Sequence, residues 1–180
     1  MQRRAVLLAL SACAVQRRAW ATLDDAYTRR CLEDQSGRET SLKQEAGNRS
    51  LVVVVMKGYW CQVCVAQLQR FEQLTSRLDT LNARFVGLNA DAPADNQAMR
   101  KKEGLSCPVL SDRRHEVIEQ LGLWLPRAEH PLPALVVFDR CGDEAARWVG
   151  RRAGDRPEGG VLRVLQKLSE SKAVCPAPNA

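Results

Sequence analysis

Two cysteines separated by two residues, Cys61-Gln62-Val63-Cys64, carry the clearest chemistry in this 180-residue chain. They follow a run of apolar β-branched residues and open a helical pattern, so Cys61 falls at a helix start and Cys64 one turn inside it. A helix start presents unpaired amide hydrogens and a partial positive charge. Both favour thiolate over thiol and bring a cysteine pKa from about 8.5 into the range of about 3.5–7.5. Cys61 then becomes a nucleophile near neutral pH. Cys64 is near enough to attack the sulfur that Cys61 has modified and to close a disulfide, so this pair suffices to reduce or transfer a disulfide through a mixed-disulfide intermediate.

The same spacing also serves as half of a structural zinc site, but such a site needs a second pair of ligands. Cys31, Cys107, Cys141 and Cys175 stand alone, and His115 and His130 are far apart in sequence. The pattern points to redox chemistry with no metal and no cofactor beyond a redox-active Cys61–Cys64 disulfide. In an oxidising compartment the other four domain cysteines would form one or two structural disulfides, and the sequence does not choose among their pairings. Cys31 and Cys175 flank the domain and would tie its ends together; Cys107 also suits the part of a small buried hydrophobe. A resolving role for Cys107 or Cys141 toward Cys61 is a further alternative.

The elements that must position the pair can be read from periodicity. Residues 51–56, Leu-Val-Val-Val-Val-Met, form an uninterrupted apolar run, as expected of a strand buried on both faces. Apolar residues then recur at Val65, Leu68, Phe71, Leu74, Leu78 and Leu81, which predicts one helix of about five turns. Residues 22–31 predict a short helix capped by Thr22, and Asp34-Gln35-Ser36-Gly37 a turn between two short segments that pair as a hairpin. Strands at 85–88, 109–110, 134–138 and 145–149 alternate with helices at 94–103, at 114–121 and from Pro157 onward. This order predicts an α/β domain with a central mixed sheet flanked by helices.

Composition agrees, with 45% hydrophobic and 27% charged residues, the balance of a soluble globular domain. The formal charge of +6 does not indicate a nucleic-acid protein. Arg3, Arg4, Arg17 and Arg18 lie in the first 21 residues, where there is no acid, which leaves 23 basic against 21 acidic side chains elsewhere. Residues 1–21 read as an export signal: a basic start, an apolar run over 5–15, and Ala19-Trp20-Ala21 as a small-x-small cleavage pattern. Leu10-Ser11-Ala12-Cys13 also fits a lipoprotein box, in which a lipid on Cys13 would be the only membrane contact, and Arg3-Arg4 loosely resembles a twin-arginine leader. The expected organisation is a leader over 1–21, a domain over 22–176 and a flexible tail over 177–180, in the periplasm or cell envelope.

Gly58-Tyr59-Trp60-Cys61-Gln62-Val63-Cys64 after a valine-rich strand resembles the active-site strand and helix of the thioredoxin superfamily. It is most similar to the branch holding the alkyl hydroperoxide reductase and thiol-specific antioxidant (AhpC/TSA) proteins and the exported TlpA-like thioredoxins. Residues 34–42 resemble that branch's N-terminal hairpin extension, and Cys107-Pro108-Val109-Leu110-Ser111-Asp112 its proline-containing strand end. The likeness runs over residues 32–170 and implies a thioredoxin-like fold. It also implies that Pro133 is a cis proline beside Cys61, that the backbone at Leu132 pairs with an extended substrate peptide, and that Trp60 covers the disulfide.

Two departures bear on activity. Peroxiredoxins place a threonine three residues before the peroxide-attacking cysteine, where this chain has Gly58. Thioredoxins carry a buried acid six residues before the first cysteine, where this chain has Val55, so deprotonation of Cys64 needs another group or water. Lys57 would stabilise a thiolate by its charge, and His130 is a candidate proton carrier.

The first expectation is an exported, monomeric thiol:disulfide oxidoreductase acting on protein thiols and disulfides, with Cys61 attacking, Cys64 resolving and a separate electron donor. A peroxiredoxin-like thiol peroxidase using the same pair is the alternative, and a chaperone gripping a soft metal ion is a third reading. Dithiol pairs of this type span about −270 to −120 mV, and the sequence does not fix the direction. The exported branch suggests a reductant.

Overall fold

The computed structural model describes residues 23–28, 31–150, 157–171 and 175, so the leader, Cys13 and the 177–180 tail lie outside the described residues. The valine-rich run forms the centre of the molecule. In chain order the elements before and including it are α1 (Leu23–Thr28), β1 (Leu32–Glu33), β2 (Glu39–Thr40), α2 (Leu42–Ala46) and β3 (Ser50–Val55). After it come α3 (Gln62–Glu72), α4 (Thr75–Thr80), β4 (Ala83–Asn89), α5 (Pro93–Glu103), β5 (Val109–Ser111) and α6 (Glu116–Gln120). The chain continues through β6 (Trp124–Leu125), β7 (His130–Pro131), β8 (Ala134–Phe138), β9 (Glu144–Val149) and α7 (Glu158–Glu170).

Seven strands make one mixed sheet in the order β2-β1-β5-β4-β3-β8-β9. β3 pairs parallel with β4, Val53 opposite Val86, and antiparallel with β8, Val53 opposite Val136. All six β3 residues are buried. Because successive side chains point to opposite faces, Leu51, Val53 and Val55 join a core with Leu42, Ile118 and Leu121, while Val52, Val54 and Met56 join another with Leu68, Phe71 and Leu165. Each such side chain removed from water contributes roughly 1.5–3 kcal/mol, which is why an uninterrupted apolar run settles in the middle of the sheet. The expected mixed sheet with flanking helices is therefore present, and the 34–37 turn does join the antiparallel pair β1 and β2.

The structure departs from the sequence reading in the helices and at a flap. The periodic stretch over 65–81 is two helices, not one. Leu74 N–H donates to the Phe71 carbonyl and the Thr75 hydroxyl to the Glu72 carbonyl at 2.7 Å, so local bonds replace the helical ladder between α3 and α4. The helix expected from residue 114 starts two residues later, after His115 at φ +47°. The hairpin β6–β7 has no counterpart in the sequence reading, since two-residue strands are too short to show alternation. Among the described residues, no helix is long and apolar enough to cross a membrane.

Candidate active site

The turn between β3 and α3 carries the Cys61–Cys64 pair. Cys61 caps α3: its backbone is extended, its N–H donates to the Gly58 carbonyl at 3.1 Å, and its sulfur accepts the Cys64 N–H at 3.4 Å. Cys61 and Cys64 form a disulfide, with their Cα atoms 5.2 Å apart. Cys64 is buried among Val65, Leu68 and Met56, whereas Cys61 is half-buried, so an incoming reagent meets Cys61 first. A helix start favours a thiolate over a thiol through its amide hydrogens and dipole. Tyr59, Trp60 and Val63, exposed by 43%, 54% and 42%, form an apolar collar on this turn.

Trp60 stands between two clefts. One, of about 390 Å³, is lined by Lys57, Asp91, Arg113, Trp124 and His130 on the side of the β6–β7 flap. The other, of about 370 Å³, is lined by Tyr59, Gln62, Ala98, Met99 and Lys102 on the side of α5. The flap wall is stiffened by His115, which stacks on Trp124 with ring centroids 4.1 Å apart and bonds Glu119 through Nδ1. His130 meets the Trp60 ring edge-on at 6.3 Å, and its Nδ1 lies 2.8 Å from the Pro131 carbonyl. That bond needs the proton on Nδ1.

Asp91 was not singled out from the sequence, yet it braces the redox turn. Its Oδ2 accepts the Tyr59 N–H at 2.7 Å. Burial raises its pKa against the opposing pull of that bond, with Asp95 adding to the rise. The Asp91 N–H donates to Asn89, and the Asn89 and Asn96 side chains exchange two hydrogen bonds at 2.7 and 2.9 Å in a buried network that also includes the Ser111 hydroxyl. The strand end at Leu110-Ser111-Asp112 is part of the same scaffold. Asp112, fully buried, donates its N–H to the Asn89 carbonyl and accepts the Ile118 N–H.

The structure differs from the expected geometry at Leu132 and Pro133. No described peptide bond is cis, so the bond before Pro133 is trans. The Leu132 N–H donates to the Leu123 carbonyl at 2.6 Å, and the Pro133 carbonyl accepts the Gly150 N–H. Those groups are committed to the flap and to β9, and Leu132 packs against the core on the other face of the sheet from Cys64. The other cysteines also resolve. Cys141 pairs with Cys175, not Cys31 with Cys175, and Cys31 packs half-buried against the core. The Cys107 thiol is 5% exposed and pushed up to about 12 by burial and then by the Glu72 carboxylate, which makes it a poor resolving group. Among the described residues no three His, Cys, Asp or Glu side chains gather as a metal-binding group.

Comparison with known proteins places these features in a wider context. A family model described as AhpC/TSA matches residues 23–143. Peroxiredoxin Bcp of Escherichia coli strain K12 is 30% identical over 93 residues, which cover 52% of this chain and 59% of that protein. A putative peroxiredoxin bcp of Haemophilus influenzae matches over the same shares at the same identity. The chain thus spans about 59% of the length of the curated relatives it matches. Among solved structures, peroxidoxin BcpB of Mycobacterium tuberculosis superposes with a TM-score of 0.69 at 18% identity, covering 76% of this chain and 90% of that one. Bacterioferritin comigratory protein of Xanthomonas campestris, studied for alkyl peroxide reduction, gives 0.67 at 16% identity over 77% and 90%. At such identities the structures establish the thioredoxin-like peroxiredoxin fold.

Proposed function

Because the chain belongs to the AhpC/TSA family, we propose that it is a thiol peroxidase in which Cys61 reduces a hydroperoxide and Cys64 resolves the product. The observation that carries the reading is the Cys61–Cys64 disulfide at the start of α3, with Cys61 the more accessible sulfur. The Cys61 thiolate attacks one oxygen of ROOH. The S–O bond forms as the O–O bond breaks, leaving Cys61 as a sulfenic acid and releasing ROH once the alkoxide takes a proton. The Cys64 thiol then attacks the Cys61 sulfur, the S–S bond forms, and the hydroxyl leaves as water with the proton from Cys64. A dithiol reductant returns two electrons by exchange at the disulfide. All electrons come from thiols, so the cycle needs no cofactor.

Disulfide exchange with proteins is the second reading, and two observations keep it. Gly58 replaces the threonine expected of a peroxide-attacking site, and the exposed collar of Tyr59, Trp60 and Val63 suits contact with a protein surface better than with a small peroxide. The same sulfurs would then act as reductant toward a substrate disulfide, Cys61 forming the mixed disulfide and Cys64 releasing the product. Steady-state assays of the full chain with a dithiol reductant separate the two. The peroxidase reading expects hydroperoxide to be consumed faster than insulin disulfides are reduced, and the reverse order would favour exchange.

The compartment belongs to the same proposal. The basic start, the apolar run and Ala19-Trp20-Ala21 support export to the periplasm or cell envelope, with Cys13 as the alternative lipid-anchoring point. A Cys141–Cys175 bridge suits an oxidising compartment.

A further inference from the structure

The redox turn is held from outside by a residue with no part in electron transfer. Residues 58–61 form a tight turn closed by one internal bond, from the Cys61 N–H to the Gly58 carbonyl. The Tyr59 N–H points away from that bond, and its partner is Asp91, 32 residues further along the chain. Gly58 is buried, and a Cβ placed there would lie 3.1 Å from the same Asp91 oxygen, so the carboxylate sits close against the backbone of the turn. Asp91 itself does not hang from a loose loop. Its N–H is tied to Asn89 at the end of β4, and Asn89 is locked to Asn96 on α5 and through it to Ser111 on β5. A continuous line of hydrogen bonds therefore runs from three elements of the sheet and helix layers to the residue two places before Cys61.

We propose that Asp91 is the positioning residue of the redox turn: by accepting the Tyr59 N–H it fixes the backbone that sets Cys61 at the start of α3 within reach of Cys64. The assignment rests on Cys61 and Cys64 being the reacting pair, and it holds for either oxidant. Asp91 moves no proton and touches neither sulfur; it acts through the Tyr59 amide. Without it, that amide loses its acceptor, and the turn gains alternatives in which the Cys61 sulfur is displaced from the α3 amides and from Cys64. A neutral side chain that still offers an oxygen would do the same work, because the need is for an acceptor and not for a charge.

The test is the rate at which diamide, an oxidant unrelated to peroxide, closes the Cys61–Cys64 disulfide in the reduced full chain, followed by thiol trapping and mass spectrometry. Asp91→Ala is expected to slow closure by about tenfold, the ratio that a lost hydrogen bond of about 1.4 kcal/mol gives. Asp91→Asn is expected to recover most of that loss. Equal slowing in both variants would show that the charge matters and overturn the positioning role, as would wild-type closure in Asp91→Ala. Amide exchange at Tyr59 in the unaltered protein supplies a readout that no folding defect can confuse. Protection above that of neighbouring exposed amides is expected, and exchange at the rate of an open loop would overturn the assignment. Normal closure with diamide but none with hydroperoxide would sink the peroxidase reading and leave this one standing.

Discussion

The Trp60 indole occupies the space that a side chain on Gly58 would need: a Cβ built on Gly58 would lie 2.6 Å from Trp60 Nε1. The missing side chain at position 58 is therefore the seat of the ring that lines both clefts. Gly58→Ala should push the ring out and press on the Asp91 carboxylate 3.1 Å away while leaving the fold nearly unchanged, since an exposed tryptophan moves at little cost and the carboxylate needs to give by only a few tenths of an ångström. Its melting free energy should stay within about 0.5–1 kcal/mol of the parent, while Trp60 fluorescence and the reduction of bulky disulfides both change. An unaltered emission spectrum and unaltered substrate preference would show that the seat has no role.

The proposed cycle gives Cys61 and Cys64 unequal duties. Cys61→Ser should abolish turnover, because a serine hydroxyl is not ionised near neutral pH and, among the described residues, Cys141 and Cys175 are bridged and Cys107 is buried. Cys64→Ser should keep the first chemical step and stall at the second. With hydroperoxide it should accumulate a Cys61 sulfenic acid, detectable by mass after trapping with dimedone, and with a protein disulfide it should accumulate a mixed disulfide. Trapping on Cys64 in the converse variant would reverse the assignment.

The Cys107 thiol predicts a pH dependence with a definite sign. Its pKa in the folded protein is pushed up to about 12, against about 8.5 for an unfolded chain. Between those values the unfolded chain loses this proton and the folded chain keeps it, so the contribution is complete below about pH 8.5 and declines as pH rises toward 12. Tyr27, also raised to about 12 by burial and then by Asp139, adds to the decline at its upper end. Replacing Cys107 with alanine should flatten the alkaline fall in melting temperature between pH 8.5 and 10 without changing turnover at neutral pH. A variant whose alkaline profile matches the parent would contradict the buried thiol.

Cys141 and Cys175 close a loop with a sequence separation of 34, tying the β8–β9 turn to the segment after α7. Chain-entropy arguments give such a bridge about 3–4 kcal/mol. Replacing both cysteines with serine should lower the melting temperature accordingly and leave the potential of the Cys61–Cys64 pair unchanged. A shifted potential would mean that the bridge communicates with the active site.

What could be read from the sequence and what could not divide along physical lines. The strand over 51–56 and the dithiol at the following helix start were legible because both depend on near neighbours: an apolar run too continuous for a surface strand, and a spacing of one helical turn. The break between α3 and α4 was not, since it depends on two local bonds, from the Leu74 N–H and the Thr75 hydroxyl, within an otherwise periodic stretch. The β6–β7 flap escaped because its strands are two residues long, and with it the bond that ties the Leu132 N–H to the Leu123 carbonyl. Asp91 escaped for a different reason. Its partner is a backbone amide on a distant turn, which leaves no mark on side-chain pattern at all.

In the proposed cycle a hydroperoxide oxidises Cys61 and Cys64 then closes the disulfide. The decisive measurement is to mix the fully reduced chain with one equivalent of hydrogen peroxide or an alkyl hydroperoxide, count peroxide consumed and map disulfides by mass spectrometry over the first seconds. A thiol peroxidase should consume one peroxide for each Cys61–Cys64 disulfide formed, with Cys107 still a thiol. Peroxide left unconsumed by a chain that readily reduces a protein disulfide through the same pair would contradict it and make disulfide exchange the activity of this site.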